Sequence, residues 1–478
     1  MKNTLIRIFA LMMALCMIAC CVGCGGDDEE VEIIYQYEDE VVSSDGSAST
    51  DNDATTSSTD TTSSTTSSSK KPNSKAESVI NDNVKPADYK GTTITYATWR
   101  DPSLYEDGPV VKAFEKKYGI KVKIELTTET EYTTKVYSKI VSKQAPDVYF
   151  STYTFPYCLD VLQPIDAAKL NLNESIWDKA LIETATVNGK TYLVDTVGNI
   201  WKDQDMVFYN KKIFKQNNIK SPEDYVKADN WTFETMAKCM QDVARLGSDY
   251  IGGAVHLEGL IHSAGASVIG LQNGKFVNGT KNSVTQDIMR WASTGLKEGW
   301  LGTASIYAGL EQFPSGKVGV AVLHSFGLKK TGYLRNMKAD DIGFVNLPSW
   351  KGNPVKATSF VRGWGICREA KNPVAAGIFL RHYLDVNNYN TTSAFISKDA
   401  ENFFFKLNAT NTKDKSFYFC YGSGVNGVVG RKTDGPDSAV STFILKPANS
   451  DPSQVLKEVE AYQGALDADI VKLNAKLK

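Results

Sequence analysis

The spacing of apolar residues at the start of the folded region predicts alternating strands and helices. The β-branched run GTTITYATW at 91–99 predicts a strand, and PVVKAFEKKYG at 109–119 has the helical spacing and terminal glycine of a helix. IKVKIEL at 120–126 alternates as a strand does, and PDVYFS at 146–151 predicts a buried strand after a second helical segment. Strands joined by crossover helices predict an α/β fold with a parallel sheet. Ligands of such sheets bind beyond the carboxyl ends of the strands.

A short apolar run marks the N-terminus. Lys2 and Arg7 accompany IFALMMALCMI at 8–18, which is too short to cross roughly 30 Å of hydrocarbon with any margin as a helix. A positive start, a short apolar run and small residues before a cut site predict a secretory signal peptide over 1–23. The alternative is an uncleaved anchor helix.

The end of this run resembles a bacterial lipoprotein signal, in which a lipidated cysteine becomes the first residue after the cut. Val22, Gly23 and Cys24 match the last positions of that pattern, although Cys21 stands where leucine is usual. Cys20 is the alternative, but the flexible acidic segment that follows favours Cys24. Two acyl chains suffice for stable anchoring. The resemblance therefore implies a protein anchored in the cell membrane that faces outward, on a cell surface of the Gram-positive type.

Residues 24–87 offer little that could form a core. From 43 to 69 there are 27 residues, of which 19 are serine or threonine. Such a composition cannot offset the entropy of ordering, so we expect a disordered tether. About 65 residues of flexible coil reach roughly 45 Å, enough to hold a domain away from a membrane. The alternative is a low-complexity insertion without a role.

Composition limits what the rest of the chain can be. About 390 residues are more than one typical core holds, so two lobes are expected. The 53 Lys and Arg nearly balance the 55 Asp and Glu, and without a basic excess we expect no nucleic-acid partner. The cysteines after the tether include no CxxC pair, so we expect no metal site; free buried thiols are favoured, and one disulfide stays open. These cysteines are Cys158, Cys239, Cys367 and Cys420.

The order and spacing of several further segments carry a family resemblance. The most specific is MVFYNKKIFKQNNIKSP at 206–222, which combines an aromatic strand, Tyr-Asn-Lys, a helix and a proline. The others are APDVYFS at 145–151, NWTFETMAKCMQDVA at 230–244, FPSGKVGVAVLHSFG at 313–327 and RGWGICREAKNPVAAGIFLRHYL at 362–384. Together they resemble the extracellular solute-binding proteins of ABC importers, in the sugar-binding branch related to maltose-binding protein.

This resemblance implies a two-lobed, periplasmic-binding-protein-like fold of type II, in which each lobe is a mostly parallel sheet flanked by helices. Lobe one would comprise 88–200 and 325–385, and lobe two 205–322 and 386–478, with a ligand cleft at the hinge between them. The resemblance also implies a monomer that captures a carbohydrate, expected to be an oligosaccharide, and delivers it to the permease subunits of an ABC transporter. It implies neither catalysis nor a cofactor.

A carbohydrate ligand requires particular types of side chain in its site. Sugars present apolar ring faces and a rim of hydroxyls, which aromatic planes and polar side chains recognise. We therefore expect contacts from such residues at strand ends and lobe crossings. The candidates are Trp99, Asp101, Tyr153, Asn199, Trp201, His324, Phe326, Arg362 and Trp364, with Glu258 as a weaker one. The alternative is core packing for each aromatic residue, a structural role for the histidine, and a surface ion pair for the aspartate and the arginine.

Two other functions stay open on the sequence alone. A binder of a peptide, a phosphate ester or a polyamine would need clustered charge of one sign, whereas the candidate set is neutral and rich in aromatic residues. A surface carbohydrate-active enzyme would need two carboxylates facing one cleft, which sequence alone does not exclude. The chain has only 4 histidines and contains neither HExxH nor GxSxG, which weighs against common hydrolase mechanisms.

The substitution Cys24→Ala should release the protein from cell membranes, because both lipid chains are lost with the thiol. Fractionation of cells that express the variant, followed by immunoblotting, measures the release. Cys20→Ala leaves the favoured cysteine intact and serves as the matched control. Retention of the Cys24→Ala protein in the membrane fraction would show that the lipoprotein-signal interpretation is wrong.

Overall fold

The computed structural model describes residues 84–99, 101–102, 107–128, 131–151, 155–409, 414–419 and 441–476. These residues belong to one compact unit, Ser69–Lys478. The predicted signal peptide, Cys24, Tyr153, Cys420 and the tether up to residue 83 lie outside the described residues. Within the described ranges, no helix is both long and apolar enough to cross a membrane.

The elements alternate along the chain much as the apolar spacing predicts. The strands are β1 (Thr93–Thr98), β2 (Lys121–Leu126), β3 (Val148–Ser151), β4 (Leu162–Gln163), β5 (Thr186–Val187), β6 (Lys190–Thr191), β7 (Asp205–Asn210), β8 (Ile251–Val255), β9 (Ile269–Gln272), β10 (Lys275–Asn278), β11 (Leu301–Thr303), β12 (Val318–His324), β13 (Ile342–Val345), β14 (Ala357–Phe360), β15 (Gly363–Cys367) and β16 (Lys415–Tyr418). The α-helices are α1 (Gly108–Tyr118), α2 (Tyr132–Val141), α3 (Lys179–Thr184), α4 (Lys211–Gln216), α5 (Pro222–Lys227), α6 (Phe233–Ala244), α7 (Leu257–Ser263), α8 (Ser283–Glu298), α9 (Ile306–Gln312), α10 (Pro373–Tyr383), α11 (Thr391–Ala394), α12 (Lys398–Asn408), α13 (Lys446–Ala448) and α14 (Val455–Lys476).

The sheet of lobe one has the strand order β2-β1-β3-β15-β4. Strands β1, β2 and β3 run parallel, which confirms the predicted strand–helix–strand–helix–strand unit. Helix α1 ends at Tyr118 and is capped by Gly119, whose φ of 66° lies in the left-handed region that glycine adopts without strain. Strand β15 returns from much later in the chain and pairs antiparallel with β3. The late strand therefore joins the lobe that the first strands build.

The sheet of lobe two has the strand order β11-β8-β12-β7-β13. Strands β8, β11 and β12 are parallel, whereas β7 runs antiparallel to both of its neighbours. Each lobe thus combines a mostly parallel sheet with flanking helices, and the two together form the two-lobed fold expected from the sequence. The carboxyl ends of β8 and β12 lie at the same edge as the start of β7.

One lobe boundary differs from the expectation. The sequence assigned 325–385 to lobe one, but β13 pairs with β7 and belongs to the sheet of lobe two. The chain therefore crosses to lobe one after residue 345 and not at 325. A four-residue apolar strand is compatible with either sheet, because only its partner decides which core it completes.

Alternate residues of the central strands enter different apolar clusters, as expected for sheets that are covered on both faces. In β3, Phe150 packs on the side of α1 and α10, and Tyr149 packs on the side of α2. In β7, Phe208 and Tyr209 divide in the same way between the two faces of the second sheet. Each sheet is therefore packed against apolar side chains on both of its faces.

Two additional contacts connect the lobes. Strands β14 and β16 pair in parallel as a separate two-stranded sheet. Directly after β16, Phe419 lies with its ring centroid 6.2 Å from Phe155 of lobe one and 5.0 Å from Phe276 of lobe two. The hinge region is thus a packed layer and not merely a set of linkers.

Replacing Tyr132 with phenylalanine should lower the free energy of unfolding by about 1–3 kcal/mol. The Tyr132 hydroxyl, in a side chain only 3% exposed, donates to the carbonyl oxygen of Ala97 and accepts from the amide of Phe150, both at 2.8 Å. Tyr137→Phe on the same helix is the matched control, because its ring is 40% exposed. Equal denaturation midpoints for the two variants would contradict this role of the Tyr132 hydroxyl.

Candidate functional site

A polar cluster forms where strands of lobe two meet at one edge. The antiparallel register places His324, the last residue of β12, opposite Asp205, the first residue of β7. His256 follows β8 directly and reaches the same point. Its Nδ1 lies 2.7 Å from Asp205 Oδ1, and His324 Nε2 lies 3.5 Å from the same oxygen. Sheet geometry thus brings together residues that are far apart in sequence.

The Asp205 carboxylate is held firmly in this position. Thr358 of β14 donates to Asp205 Oδ2 at 2.7 Å. Gly259 of α7 lies so close that an added Cβ would approach the same oxygen to 2.5 Å, so a glycine is needed there. Burial alone would raise the pKa of Asp205, but His256, His324 and Thr358 outweigh it and hold the pKa below its ordinary value.

Asp203 extends the cluster toward lobe one. Its Oδ2 lies 3.3 Å from His324 Nδ1 and 3.7 Å from Arg362 Nη1, and its Oδ1 accepts from the amide of Phe326 at 3.1 Å. Arg362 precedes β15, so its guanidinium comes from the sheet of lobe one. Asp203 therefore lies between side chains that belong to different sheets.

Aromatic rings complete the connection to the edge of the first sheet. The Arg362 guanidinium carbon lies 5.0 Å from the ring centroid of Phe150, and Trp99 lies 6.1 Å beyond, centroid to centroid. Trp99 directly follows β1 and stays partly exposed. We call the connected set the floor cluster. It consists of Trp99, Phe150, Asp203, Asp205, His256, His324 and Arg362.

The floor cluster retains hydrogen-bonding capacity. Among the described residues, the buried Nε of Arg362 has no hydrogen-bond partner. Asp203 and Arg362 also keep side-chain exposures of 10% and 15%. Planar rings from Trp99 and Phe150 stand next to these groups. The arrangement can therefore offer an apolar plane, a donor and acceptors to one small molecule.

The structure brings several of the sequence-predicted site residues together. Trp99, His324 and Arg362 belong to the floor cluster, and Phe326 joins it through its backbone amide. Asp101 lies just beyond Trp99 and is half-buried. Tyr153 lies outside the described residues.

Trp364 does not line the cleft as expected. Its side chain is 1% exposed and stacks on Phe150 at 4.4 Å, and its Nε1 donates to the hydroxyl of Tyr96 at 3.0 Å. The expectation that Trp364 contacts the ligand is therefore wrong, and the side chain packs in the core of lobe one instead. Sequence could not separate the two roles, because alternate residues of a strand face opposite sides of the sheet.

Asn199 and Trp201 shape the crossing between the lobes. The Asn199 side chain donates to Asp195 at 2.6 Å and accepts from the amide of Trp201 at 2.9 Å, which orders the turn. Trp201 is 3% exposed and packs into the core of lobe one, with Lys329 Nζ 4.2 Å from its ring centroid. These contacts favour structural roles for both residues over direct ligand contact.

A second buried ion cluster fixes β16 to lobe one. The Asp178 carboxylate accepts from Lys202 and, at 2.9 Å, from Lys415 of β16. Burial alone would raise the pKa of Asp178, but the two ammonium groups hold it well below its ordinary value. Asp195 Oδ2 adds a contact to Lys202 at 3.7 Å. The first crossing and the hinge strand are thereby locked together.

Asp203, Asp205 and His256 belong to the floor cluster but were not among the candidates expected from the sequence. His256 could have been identified from the sequence, because it directly follows a strand-like segment. Trp99 follows β1 in lobe one in the same way. Asp203 lies two residues before the aromatic strand β7, and Asp205 is the first residue of that strand. Their importance depends on the antiparallel pairing of β7 with β12, which local spacing does not reveal.

The sequence matches a known protein family. The family model described as bacterial extracellular solute-binding protein matches residues 96–385. Among curated proteins, none matches the sequence.

Solved structures share the architecture at low identity. A cyclo/maltodextrin-binding protein complexed with maltotetraose is 18% identical, with a TM-score of 0.51 over 80% of this chain and 96% of that one. The GacH receptor of Streptomyces glaucescens, solved unliganded and with acarbose, is 16% identical, with a TM-score of 0.52 over 81% and 99%. A family 1 extracellular solute-binding protein from Alicyclobacillus acidocaldarius is 16% identical, with a TM-score of 0.54 over 79% and 99%.

Replacing Trp364 with alanine should lower the free energy of unfolding by about 3–5 kcal/mol, as truncation of a core tryptophan typically does. Chemical denaturation of the ligand-free protein measures the change. Trp231→Ala is the matched control, because Trp231 is only partly buried. A Trp364→Ala protein as stable as the Trp231→Ala protein would contradict the assignment of Trp364 to the core.

Proposed function

The chain belongs to the family of bacterial extracellular solute-binding proteins, and from this premise we propose that it captures a carbohydrate, an oligosaccharide by preference, between its two lobes. Captured sugar is handed to the permease subunits of an ABC transporter. The protein works as a monomer outside the cell, anchored through a lipidated Cys24, with residues 24–87 as its tether. It binds its solute without chemical change.

The observation that carries this proposal is the mixed chemistry of the floor cluster. Sugar hydroxyls both donate and accept hydrogen bonds, and the Arg362 donor lies beside the Asp203 acceptor. The ring of Trp99 offers a plane for the apolar face of a pyranose. These groups come from both sheets, so a ligand that contacts them all would draw the lobes together.

The solved structures support the same class of ligand. One similar protein was solved with maltotetraose and another with acarbose, and both ligands are oligosaccharides or close analogues of them. The floor cluster also combines groups of opposite charge, because the Asp203 carboxylate lies 3.7 Å from the Arg362 guanidinium. Such a site suits a neutral polyhydroxylated molecule better than a strongly anionic or polycationic one.

A thermal-shift screen against mono- and oligosaccharides tests the proposal. A sugar present at 100 times its dissociation constant should stabilise the folded protein by about 2.7 kcal/mol and raise its unfolding temperature. Peptides, phosphate esters and polyamines belong in the same screen as competing classes. A shift with one of these classes, and none with any sugar, would reject carbohydrate as the solute.

The substitution Trp99→Ala should weaken binding of the sugar found in this screen about tenfold, because a stacked aromatic plane contributes roughly 1–1.5 kcal/mol. Isothermal titration calorimetry on the folded variant measures the change. Trp291→Ala, in helix α8 of lobe two and packed on Phe233, is the matched control and should bind like the unmodified protein. Unchanged affinity in Trp99→Ala would remove this tryptophan from the site.

A further inference from the structure

The floor cluster contains a donor set that the sequence did not lead us to expect. Asp205, His256 and His324 are all buried, and each offers a ligand atom within 4.8 Å of those of the other two. We propose that these residues bind a divalent transition metal ion, with Zn²⁺ as the best match. The site lies at the edge of lobe two, where β8 and β12 end and β7 begins.

The distances are close to those of a tetrahedral site. Bonds of about 2.0–2.1 Å from zinc to nitrogen and oxygen place neighbouring ligand atoms roughly 3.3 Å apart in a tetrahedron. His324 Nε2 lies 3.5 Å from Asp205 Oδ1, which already fits this geometry. His256 Nδ1 lies 2.7 Å from the same oxygen. Entry of the ion requires these two atoms to separate by roughly half an ångström, a small rotation of either side chain.

Outer contacts orient the ligands in the way that metal sites require. A metal-bound histidine usually donates its second ring nitrogen to a carboxylate or carbonyl, which fixes its tautomer and ring orientation. His324 has this arrangement, because its Nδ1 faces Asp203 Oδ2 at 3.3 Å while its Nε2 faces Asp205. Thr358 likewise donates to the second oxygen of Asp205 at 2.7 Å. Asp203 and Thr358 are therefore positioning residues for the metal ligands.

The chemistry of the donors selects the ion. Two imidazoles and one carboxylate suit zinc and its transition-metal neighbours, whereas calcium and magnesium prefer oxygen ligands alone. Three protein ligands leave one tetrahedral position for water or for a hydroxyl of a bound molecule. His256 and His324 are each only 5% exposed, so the donor set is largely shielded from bulk water.

The backbone makes this site rigid. His256 directly follows β8 and His324 is the last residue of β12, and these two parallel strands pair with each other. Asp205 lies opposite His324 in the adjacent strand β7. Residues at such positions keep their spacing without help from a loop. A preorganised donor set of this kind loses little entropy when the ion binds.

Zinc titration of the full chain, purified in detergent and stripped with a chelator, tests the proposal. Calorimetry should show one ion bound per chain, and Co²⁺ should give the intense visible absorption of tetrahedral coordination. His256→Gln and Asp205→Asn each remove a ligand. We expect them to lose more than the roughly 10- to 100-fold in affinity that removal of an outer partner typically costs.

Two further variants keep the test decisive. Asp203→Asn preserves the three ligands but weakens the orientation of His324, and should lower zinc affinity by roughly 10- to 100-fold. This variant decides the question if a ligand variant fails to fold, as judged by circular dichroism. His382→Gln is the matched control: it removes a buried histidine that contacts the carbonyl of Val110 in lobe one, and should bind zinc normally.

The outcomes separate this proposal from the proposed function. Absence of zinc binding by the unmodified chain, or equal binding by His256→Gln and Asp205→Asn, overturns the metal site. Loss of zinc binding in His382→Gln together with retention in His256→Gln would overturn it as well. Sugar binding is measured separately in chelator, so carbohydrate capture can hold while the metal site fails, and the reverse.

Discussion

Charged side chains that are buried where the lobes meet constrain the rest of this structure. A charge removed from water costs several kcal/mol unless a partner compensates it. Asp178 finds its partners in Lys202 of the first crossing and Lys415 of β16, and Asp205 finds one in His256 at the end of β8. These partners come from different elements, so each carboxylate is satisfied only when those elements take their observed places. The Asp178 contacts join the first crossing and β16 to lobe one, and the Asp205 contact joins strand ends within the sheet of lobe two.

Polar side chains also meet between the two sheets. Asp203 is shared between His324 and Arg362, which come from different sheets, and these contacts are long enough to be exchanged for contacts to a ligand. The rings of Phe150 and Trp99 form an aromatic wall beside the Arg362 guanidinium. A solute that binds both the wall and the polar groups would strengthen an interlobe connection that already exists. The residues proposed to bind the solute are therefore the same ones that connect the two lobes.

Sequence patterns predicted the first lobe better than the junction. Local apolar spacing was enough for β1, β2, β3 and their crossover helices, because each element builds its own periodic face. Trp99, His324 and Arg362, which were expected near the ligand from their places at strand ends and crossings, lie together in the floor cluster. Local spacing could not assign β13 to a lobe or separate the buried face of Trp364 from the cleft, since both depend on pairing between distant strands. The Asp205 contacts were missed for the same reason.

The proposed function requires one solute to be held by both lobes at the floor cluster. A crystal structure of the protein with an oligosaccharide that stabilises it tests this most directly. The sugar should lie against Trp99 and Arg362 of lobe one and within hydrogen-bond distance of Asp203 or His324 at the edge of lobe two. A sugar that contacts one lobe alone would contradict the proposed function. So would a sugar in the cavity of about 520 Å³ lined by Trp231, Lys356 and Asp205 that contacts no other member of the floor cluster.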